Sequence, residues 1–147
     1  MSEEWFYLSG KELASRIRAR KIRSVDLVEA HIREVERVNP RIHAVVKPRF
    51  DDAREEAVRA DERVRSEAPE SLPPLLGVPC TIKESFCLTG MPNTSGLVSR
   101  IGTVATEDAT TVARLRAAGA IPVGVTNTSE LCMWMESTNK VYGRTNN

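Results

Sequence analysis

The fold is decided by two stretches, Val78-Pro-Cys-Thr-Ile-Lys-Glu84 and Ile121-Pro-Val-Gly-Val-Thr126. Each is a short and mostly apolar run bounded by turn residues, which is typical of a strand buried on both faces. Between them, Asp108 can cap a helix that Gly119 would close. A strand, a helix and a second strand in this order form a crossover unit. The sequence therefore predicts an α/β fold in which helices cover part of a mixed sheet.

The residues before this unit differ from it in composition. Charged residues are concentrated in positions 1–66, whereas most glycines lie in positions 67–147. This division predicts solvated helices first and a mostly interior sheet region second. A short strand is predicted at Ile42–Lys47. Small apolar residues at helical spacing predict a close-packed helix over positions 49–66, namely Ala53, Ala57, Ala60 and Val64.

Two further helices are predicted from their end signals. Ser9 followed by Glu12 fits a capping box that opens a helix reaching about Arg20. Ser24 can cap a second helix, and Asn39-Pro40 is expected to end it because proline cannot continue the hydrogen-bond ladder.

Composition excludes several classes of function. The chain has 147 residues with 21 Lys and Arg against 20 Asp and Glu, giving a net charge of +1. No nucleic-acid partner is expected, because proteins that bind phosphate backbones carry a clear excess of basic residues. No apolar stretch is long enough to cross a bilayer, and the start lacks the apolar region of a signal peptide. Three cysteines and two histidines without metal-ligand spacing predict reduced, packed thiols and structural imidazoles in an intracellular protein.

Lys83 is the candidate catalytic residue in the sequence. Strand alternation places it on the face opposite Ile82, at the end of a strand, and α/β sheets gather their active sites at strand ends. Two interpretations remain open. Lys83 can reach water or pair with Glu84, or it can be buried with a partner. Burial would favour the neutral amine, which is a general base.

Three segments of the chain resemble the amidase signature family. They are Leu76-Gly-Val-Pro-Cys-Thr-Ile-Lys-Glu84, Gly90-Met-Pro-Asn-Thr-Ser-Gly96 and Asp108–Asn127. The last segment, Ser129–Asn147, is similar to the type-2 branch of the fatty-acid amide hydrolases within that family. The resemblance implies an amide-bond hydrolase that uses a Ser-Ser-Lys triad and needs no metal or cofactor.

Lys83 matches the lysine of that triad by its place in Gly-Val-Pro-x-x-x-Lys. The family carries both serines in a glycine-rich motif shortly after the equivalent of Asn147, and this chain contains no such motif. We therefore expect residues 1–147 to be the N-terminal portion of a single amidase domain. In this interpretation positions 1–66 form its charged helices, and positions 67–147 form a sheet core with the start of the active site.

The resemblance also implies a substrate site at Cys132 and Met133, where lipid-cleaving members line an acyl cavity. The alternative is that Thr128–Met133 forms a short helix packing its apolar side on the sheet. This helix is expected to lead into a loop over Glu136–Asn147. The long loop Phe86–Thr106 is expected to cover the site. The implied partners are a small amide substrate with a long acyl chain and the remainder of the same domain, with a homodimer left open.

Two other functions remain as alternatives at this point. One is a non-catalytic fragment or binding module that keeps the lysine. The other is a different amidase-signature activity, such as that of the amidotransferase enzymes that modify misacylated transfer RNA. Type-2 members carry a hydrophobic anchor upstream of this region, and only Met1–Leu8 precedes it here. Localisation therefore stays open between the cytoplasm and a membrane-associated state.

Overall fold

The computed structural model describes residues 3–146. Within that range, the α-helices are α1 (Gly10–Arg18), α2 (Ser24–Ile42), α3 (Phe50–Ser66) and α4 (Thr110–Ala117). The strands are β1 (Val45–Pro48), β2 (Pro79–Lys83), β3 (Ile121–Thr126), β4 (Thr138–Asn139) and β5 (Gly143–Arg144). Single turns of 3-10 helix lie at Glu3–Tyr7, Pro69–Ser71, Val98–Arg100 and Glu130–Cys132. Helices and strands alternate along the chain from α2 to β3, and the predicted α/β class is confirmed.

The main sheet is mixed, with strand order β1-β3-β2. β1 runs antiparallel to β3. β2 and β3 run parallel, because the Ile121 amide donates to the Val78 carbonyl where both strands begin, and the Glu84 amide donates to the Thr126 carbonyl where both end. Helix α4 lies between these parallel strands in the chain. The predicted crossover unit is therefore present.

Helix α1 begins as the sequence predicts. The Ser9 amide donates to the Glu12 carboxylate over 2.9 Å, and the Glu12 amide donates to the Ser9 hydroxyl over 3.3 Å. These reciprocal bonds form the expected capping box and satisfy amides that have no partner inside the helix. The helix ends at Arg18, short of Arg20, which takes a positive φ of 57°.

The predicted cap of helix α2 is wrong. Ser24 is the first helical residue, and its buried hydroxyl donates to the Gly77 carbonyl. The Asp61 carboxylate satisfies the free amides instead, accepting from Ser24 over 2.7 Å and from Val25 over 3.2 Å. A side chain distant in sequence therefore caps the helix in place of Ser24.

The predicted end of helix α2 is also wrong, because the helix includes Pro40 and continues to Ile42. The Asn39 side chain accepts from the amides of Ala44 and Val45 and donates to the Val45 carbonyl. These bonds close the helix beyond the position at which proline alone would end it. Strand β1 therefore begins later than the Ile42 start predicted for it.

One compact unit consists of the chain up to Glu34, Arg49–Cys80 and Arg114–Val123. The small residues predicted for the inner face of α3 are all buried, which lets the helix pack closely. Their neighbours in the core of this unit are apolar side chains, including Leu13, Ile17, Leu27, Val28, Ile32, Leu72, Leu76, Val78, Ile121 and Val123. Burial of this apolar surface stabilises the unit.

The second unit consists of Val35–Pro48, Thr81–Ala113 and the chain from Gly124 onward. Its interior is unusually polar. Seven of its polar residues are buried, namely Glu84, Asn93, Thr94, Ser95, Asn127, Thr128 and Ser129. Buried polar groups are costly unless they are hydrogen-bonded. This unit must therefore be organised by a specific bonding network rather than by apolar packing alone.

The loop predicted for Glu136–Asn147 is wrong in its middle. Strands β4 and β5 form a short antiparallel hairpin, in which Thr138 pairs with Arg144. The Asn139 side chain sets the turn, because its oxygen accepts from the amides of Val141 and Tyr142 over 2.9 and 2.8 Å. Asn147, the last residue of the predicted loop, lies outside the described residues.

The helices within residues 3–146 can be compared with the requirements for a membrane-spanning helix. None of them combines the length and the apolar character that a bilayer span requires.

Candidate active site

Lys83 is the last residue of β2 and its side chain is exposed. The buried residue before it, Ile82, faces the opposite side, so the predicted alternation is confirmed. The carbonyl of Lys83 accepts from the Phe86 amide over 2.8 Å, which turns the chain away from the sheet. Within residues 3–146 the structure therefore agrees with the interpretation in which Lys83 reaches water at the end of its strand. The suggested pairing with Glu84 is wrong, because the carboxylate of Glu84 binds other groups.

A cluster of polar side chains surrounds the end of Lys83. The Cys132 thiol interacts with the Ser85 hydroxyl and with the amine of Lys83, and it lies 3.3 Å from the Thr128 hydroxyl. Hydrogen bonding from Ser85 and then Thr128, aided by the charge of Lys83, lowers the pKa of the Cys132 thiol. Cys132 is exposed, so the expectation of a packed thiol is wrong at this position. A polarised thiol therefore lies beside the candidate lysine.

The helix predicted over Thr128–Met133 is reduced to a single 3-10 turn, Glu130–Cys132. Leu131 and Cys132 take positive φ values of 51° and 59°, a left-handed conformation that an α-helix cannot accommodate. The Ser129 hydroxyl donates to the carbonyl of Trp134 and accepts from its amide. This two-way bond closes the segment as a compact loop instead of a helix.

The loop presents large apolar side chains to solvent. Met133 is 78% exposed, Trp134 67% and Met135 93%. The alternative of a helix that packs these residues on the sheet is therefore wrong. Cys132 lies beside Lys83, while the side chain of Met133 has little cover from residues 3–146. A contiguous exposed apolar group of this kind is typical of a binding surface.

Glu84 follows the candidate lysine directly, and its sequence context does not reveal the bonds that it makes. It is fully buried, and its first carboxylate oxygen accepts from the Thr94 amide over 2.6 Å and the Thr94 hydroxyl over 2.7 Å. The Tyr142 hydroxyl donates to the same oxygen over 2.7 Å, and the Ser95 amide donates to the second oxygen over 2.8 Å. Burial, together with the neighbouring Glu84 carboxylate, raises the pKa of Tyr142 to about 12. Tyr142 therefore remains a donor at all ordinary pH values.

The loop predicted to cover the site, Phe86–Thr106, folds back on itself. Its two arms are joined by backbone bonds from Asn93 to Thr103 and from Ala105 to Met91. The bonds from Thr94 and Ser95 to Glu84 hold the middle of this loop at the end of β2. The loop therefore lies beside the strand that carries Lys83.

Metal-ligating side chains are not clustered in the described part of the chain. Within residues 3–146, no three His, Cys, Asp or Glu side chains are grouped so as to hold a metal ion.

Comparison with known proteins identifies the family. A family model described as Amidase matches residues 26–147. The chain belongs to the Amidase family. The residues of this amidase that surround Lys83, from β2 to the terminal hairpin, all lie within the matched range.

Individual relatives agree with this assignment. Fatty-acid amide hydrolase 2 of Homo sapiens is 49% identical over 152 residues, covering 100% of this amidase chain and 29% of the relative. A glutamyl-tRNA(Gln) amidotransferase subunit of Streptomyces coelicolor is 34% identical and covers 95% of the chain and 28% of the relative. A solved fatty acid amide hydrolase shares the fold, with a TM-score of 0.88 over 100% of this chain and 26% of that structure, at 24% identity. The amidase chain thus spans less than a third of the length of these proteins.

Proposed function

We propose that the protein containing this chain hydrolyses amide bonds, with fatty-acid amides as its substrate class. The observation that carries the proposal is the 49% identity to a fatty-acid amide hydrolase over the whole chain, compared with 34% to a glutamyl-tRNA(Gln) amidotransferase. The placement of Lys83 at the carboxyl end of a parallel strand supports the same chemistry.

Lys83 is the proposed base. A neutral amine at its Nζ accepts the proton of a serine hydroxyl, directly or through a second serine, while the serine oxygen bonds to the amide carbonyl carbon. When the carbon–nitrogen bond of the substrate breaks, the same proton passes to the leaving amine. The resemblance to the amidase signature family implies that both serines lie outside residues 1–147, together with the donors that stabilise the anionic intermediate.

The neutral form of the lysine requires cover. Residues 3–146 leave the Lys83 side chain exposed, whereas burial is what favours the neutral form of an amine. The remaining part of the domain therefore has to exclude water from this strand end. The proposed domain organisation, in which residues 1–147 are one portion of a single amidase domain, provides that cover.

The exposed loop supplies the proposed acyl site. Cys132 would contact the substrate near its carbonyl, because its thiol lies beside Lys83. Met133 and the adjacent Trp134 would contact the acyl chain farther from the reacting carbon. Flexible and polarisable side chains suit a long alkyl chain that bends in several ways.

The test is Lys83→Met in the complete protein, assayed on a long-chain acyl anilide. Methionine keeps the length of the stem but cannot accept a proton, so hydrolysis should fall by about 10² to 10⁴. Lys47→Met is the matched control, because Lys47 is an exposed lysine on β1. Wild-type turnover in Lys83→Met, or an equal loss in the control, would overturn the role of Lys83 as the base. No hydrolysis of the anilide by the wild type would overturn the proposed function.

A further inference from the structure

We propose that Glu84 is a positioning residue, which through Tyr142 and Thr94 fixes the strand end that carries Lys83. This inference rests on the proposed function of Lys83. It concerns a buried carboxylate that takes no part in the chemistry of amide hydrolysis. Its four bonds instead connect separate segments of the chain around the candidate base.

The backbone of Glu84 is held on both sides. Its amide donates to the Thr126 carbonyl, and its carbonyl accepts from the Asn93 side chain over 2.9 Å. Its side chain points into the interior, whereas that of Lys83 points outward. The carboxylate therefore anchors the strand end from its buried side, directly next to the residue whose amine is proposed to accept the serine proton.

The carboxylate of Glu84 offers an acceptor to each of its partners. The first oxygen accepts from the Thr94 amide and from two hydroxyls, and the second accepts from the Ser95 amide. A glutamine in the same place would turn its own N–H groups toward one of these donors. The resulting unpaired, buried donors would push apart the segments that the carboxylate holds.

Tyr142 ties the terminal hairpin into the same anchor. Its hydroxyl is 2.7 Å from the Glu84 carboxylate, across 58 positions of sequence. The backbone amide of Tyr142 donates to the side-chain oxygen of Asn139, so this turn fixes the direction from which the ring approaches Glu84. Removing this hydroxyl leaves the carboxylate with its three other donors. Tyr142→Phe should therefore disturb the strand end less than a substitution of Glu84 does.

The experiment measures kcat and KM of the complete protein on a long-chain acyl anilide. Glu84→Gln should lower kcat about 10-fold to 100-fold with KM within about twofold of wild type, because misplacing a catalytic group slows chemistry more than binding. Tyr142→Phe should lower kcat in the same way by a smaller factor, about 2-fold to 5-fold. Glu107→Gln and Tyr7→Phe are matched controls at exposed positions and should leave both constants unchanged.

A double variant separates positioning from general destabilisation. In a Lys83→Met background, Glu84→Gln should leave the residual rate within about twofold, since a residue acting through Lys83 has nothing left to position. If Glu84→Gln lowers the residual rate of Lys83→Met by the same factor as it lowers the wild-type rate, the inference is overturned. It is also overturned if Tyr142→Phe has wild-type kcat and Glu84→Gln is either unfolded or fully active. Full activity of Lys83→Met alone would overturn the proposed base role of Lys83 and the inference together. Loss in Lys83→Met with unchanged kcat in both Glu84→Gln and Tyr142→Phe would overturn the inference alone.

Discussion

The side-chain amide of Asn139 donates to the side-chain oxygen of Asn127 over 2.8 Å. The same Asn139 group also donates to the Thr128 carbonyl over 2.8 Å, and the Asn127 amide donates to the Gly143 carbonyl over 3.1 Å. Two asparagines thus join the terminal hairpin to the residues that follow β3. Because Tyr142 lies within that hairpin, this contact also supports its approach to the Glu84 carboxylate.

The first prediction concerns this asparagine pair. Asn139→Ala should lower the free energy of unfolding by about 1–3 kcal/mol, because it leaves the buried partners of its amide and the half-buried partners of its oxygen unpaired. Asn139→Asp should be less damaging, since the oxygen that accepts from Val141 and Tyr142 is kept. Urea unfolding measures both, with Lys140→Ala as the exposed control in the same hairpin. Equal midpoints for Asn139→Ala and the control would contradict the prediction.

Local patterns in the sequence predicted the parts of the fold that depend on neighbouring residues. The capping box at Ser9 and the buried alanines of α3 follow from spacings of three and four, and the alternation around Lys83 follows from the period of a strand. These features need no knowledge of distant contacts. They were therefore accessible from the sequence alone.

The parts that the sequence did not predict depend on contacts between distant residues. The cap of α2 comes from Asp61, 37 positions after Ser24. The donors to Glu84 come from 10, 11 and 58 positions away. The polar runs Asn93-Thr-Ser and Asn127-Thr-Ser were available as a signal, because polar residues within a mostly interior region have to pair with buried partners. Nothing local to Glu84 identifies that partner.

The second prediction concerns Gly119, which follows α4. It has a φ of +90°, and a Cβ placed there would lie 2.6 Å from the Cα of Leu76. Gly90 has a φ of +80° with nothing within 4 Å, so Gly90→Ala carries the same backbone strain without the clash. Gly119→Ala should be less stable than Gly90→Ala by about 1–3 kcal/mol, the cost of overpacking. Urea midpoints compare them, and equal losses would show that strain alone limits position 119.

The third prediction concerns the thiols. Burial raises the pKa of Cys80 to about 11, whereas hydrogen bonds from Ser85 and Thr128 lower the pKa of Cys132. Since the thiolate is the reactive form, iodoacetamide should label Cys132 before Cys80 at neutral pH. The rate at Cys132 should rise with pH and level off above its lowered pKa, while the rate at Cys80 should still be rising near pH 11. Peptide mass spectrometry after timed labelling measures both rates, and faster labelling of Cys80 at neutral pH would contradict the prediction.

Substitutions can separate the contributions of Ser85 and Lys83 to the lowered pKa of Cys132. Ser85→Ala should shift the labelling profile of Cys132 to higher pH, because the largest stabilisation of its thiolate is lost. Lys83→Met should shift the profile in the same direction, because it removes both the charge and the hydrogen bond that Lys83 contributes. An unchanged profile in Ser85→Ala would contradict the prediction.

The last prediction concerns acyl length in the complete protein and rests on the exposed loop. Met133, Trp134 and Met135 present apolar surface that residues 3–146 leave uncovered. Each methylene transferred from water to such a surface contributes about 0.8 kcal/mol, so a long acyl chain would gain several kcal/mol of binding over a short one. KM should therefore rise steeply as the acyl chain of the substrate is shortened.

Substitution in the loop decides whether these side chains form the acyl site. Met133→Asp and Trp134→Ala should flatten the dependence of KM on acyl length, because both remove apolar contact with the chain while leaving the reacting carbonyl untouched. Hydrolysis of a short amide should change little in either variant. Val58→Asp places the same charge on an exposed valine of α3 and should leave the length dependence intact. If both loop variants slow the short and long substrates equally, the loop serves packing within the domain, and the preference for fatty-acid amides must arise from other residues, although the role of Lys83 would stand.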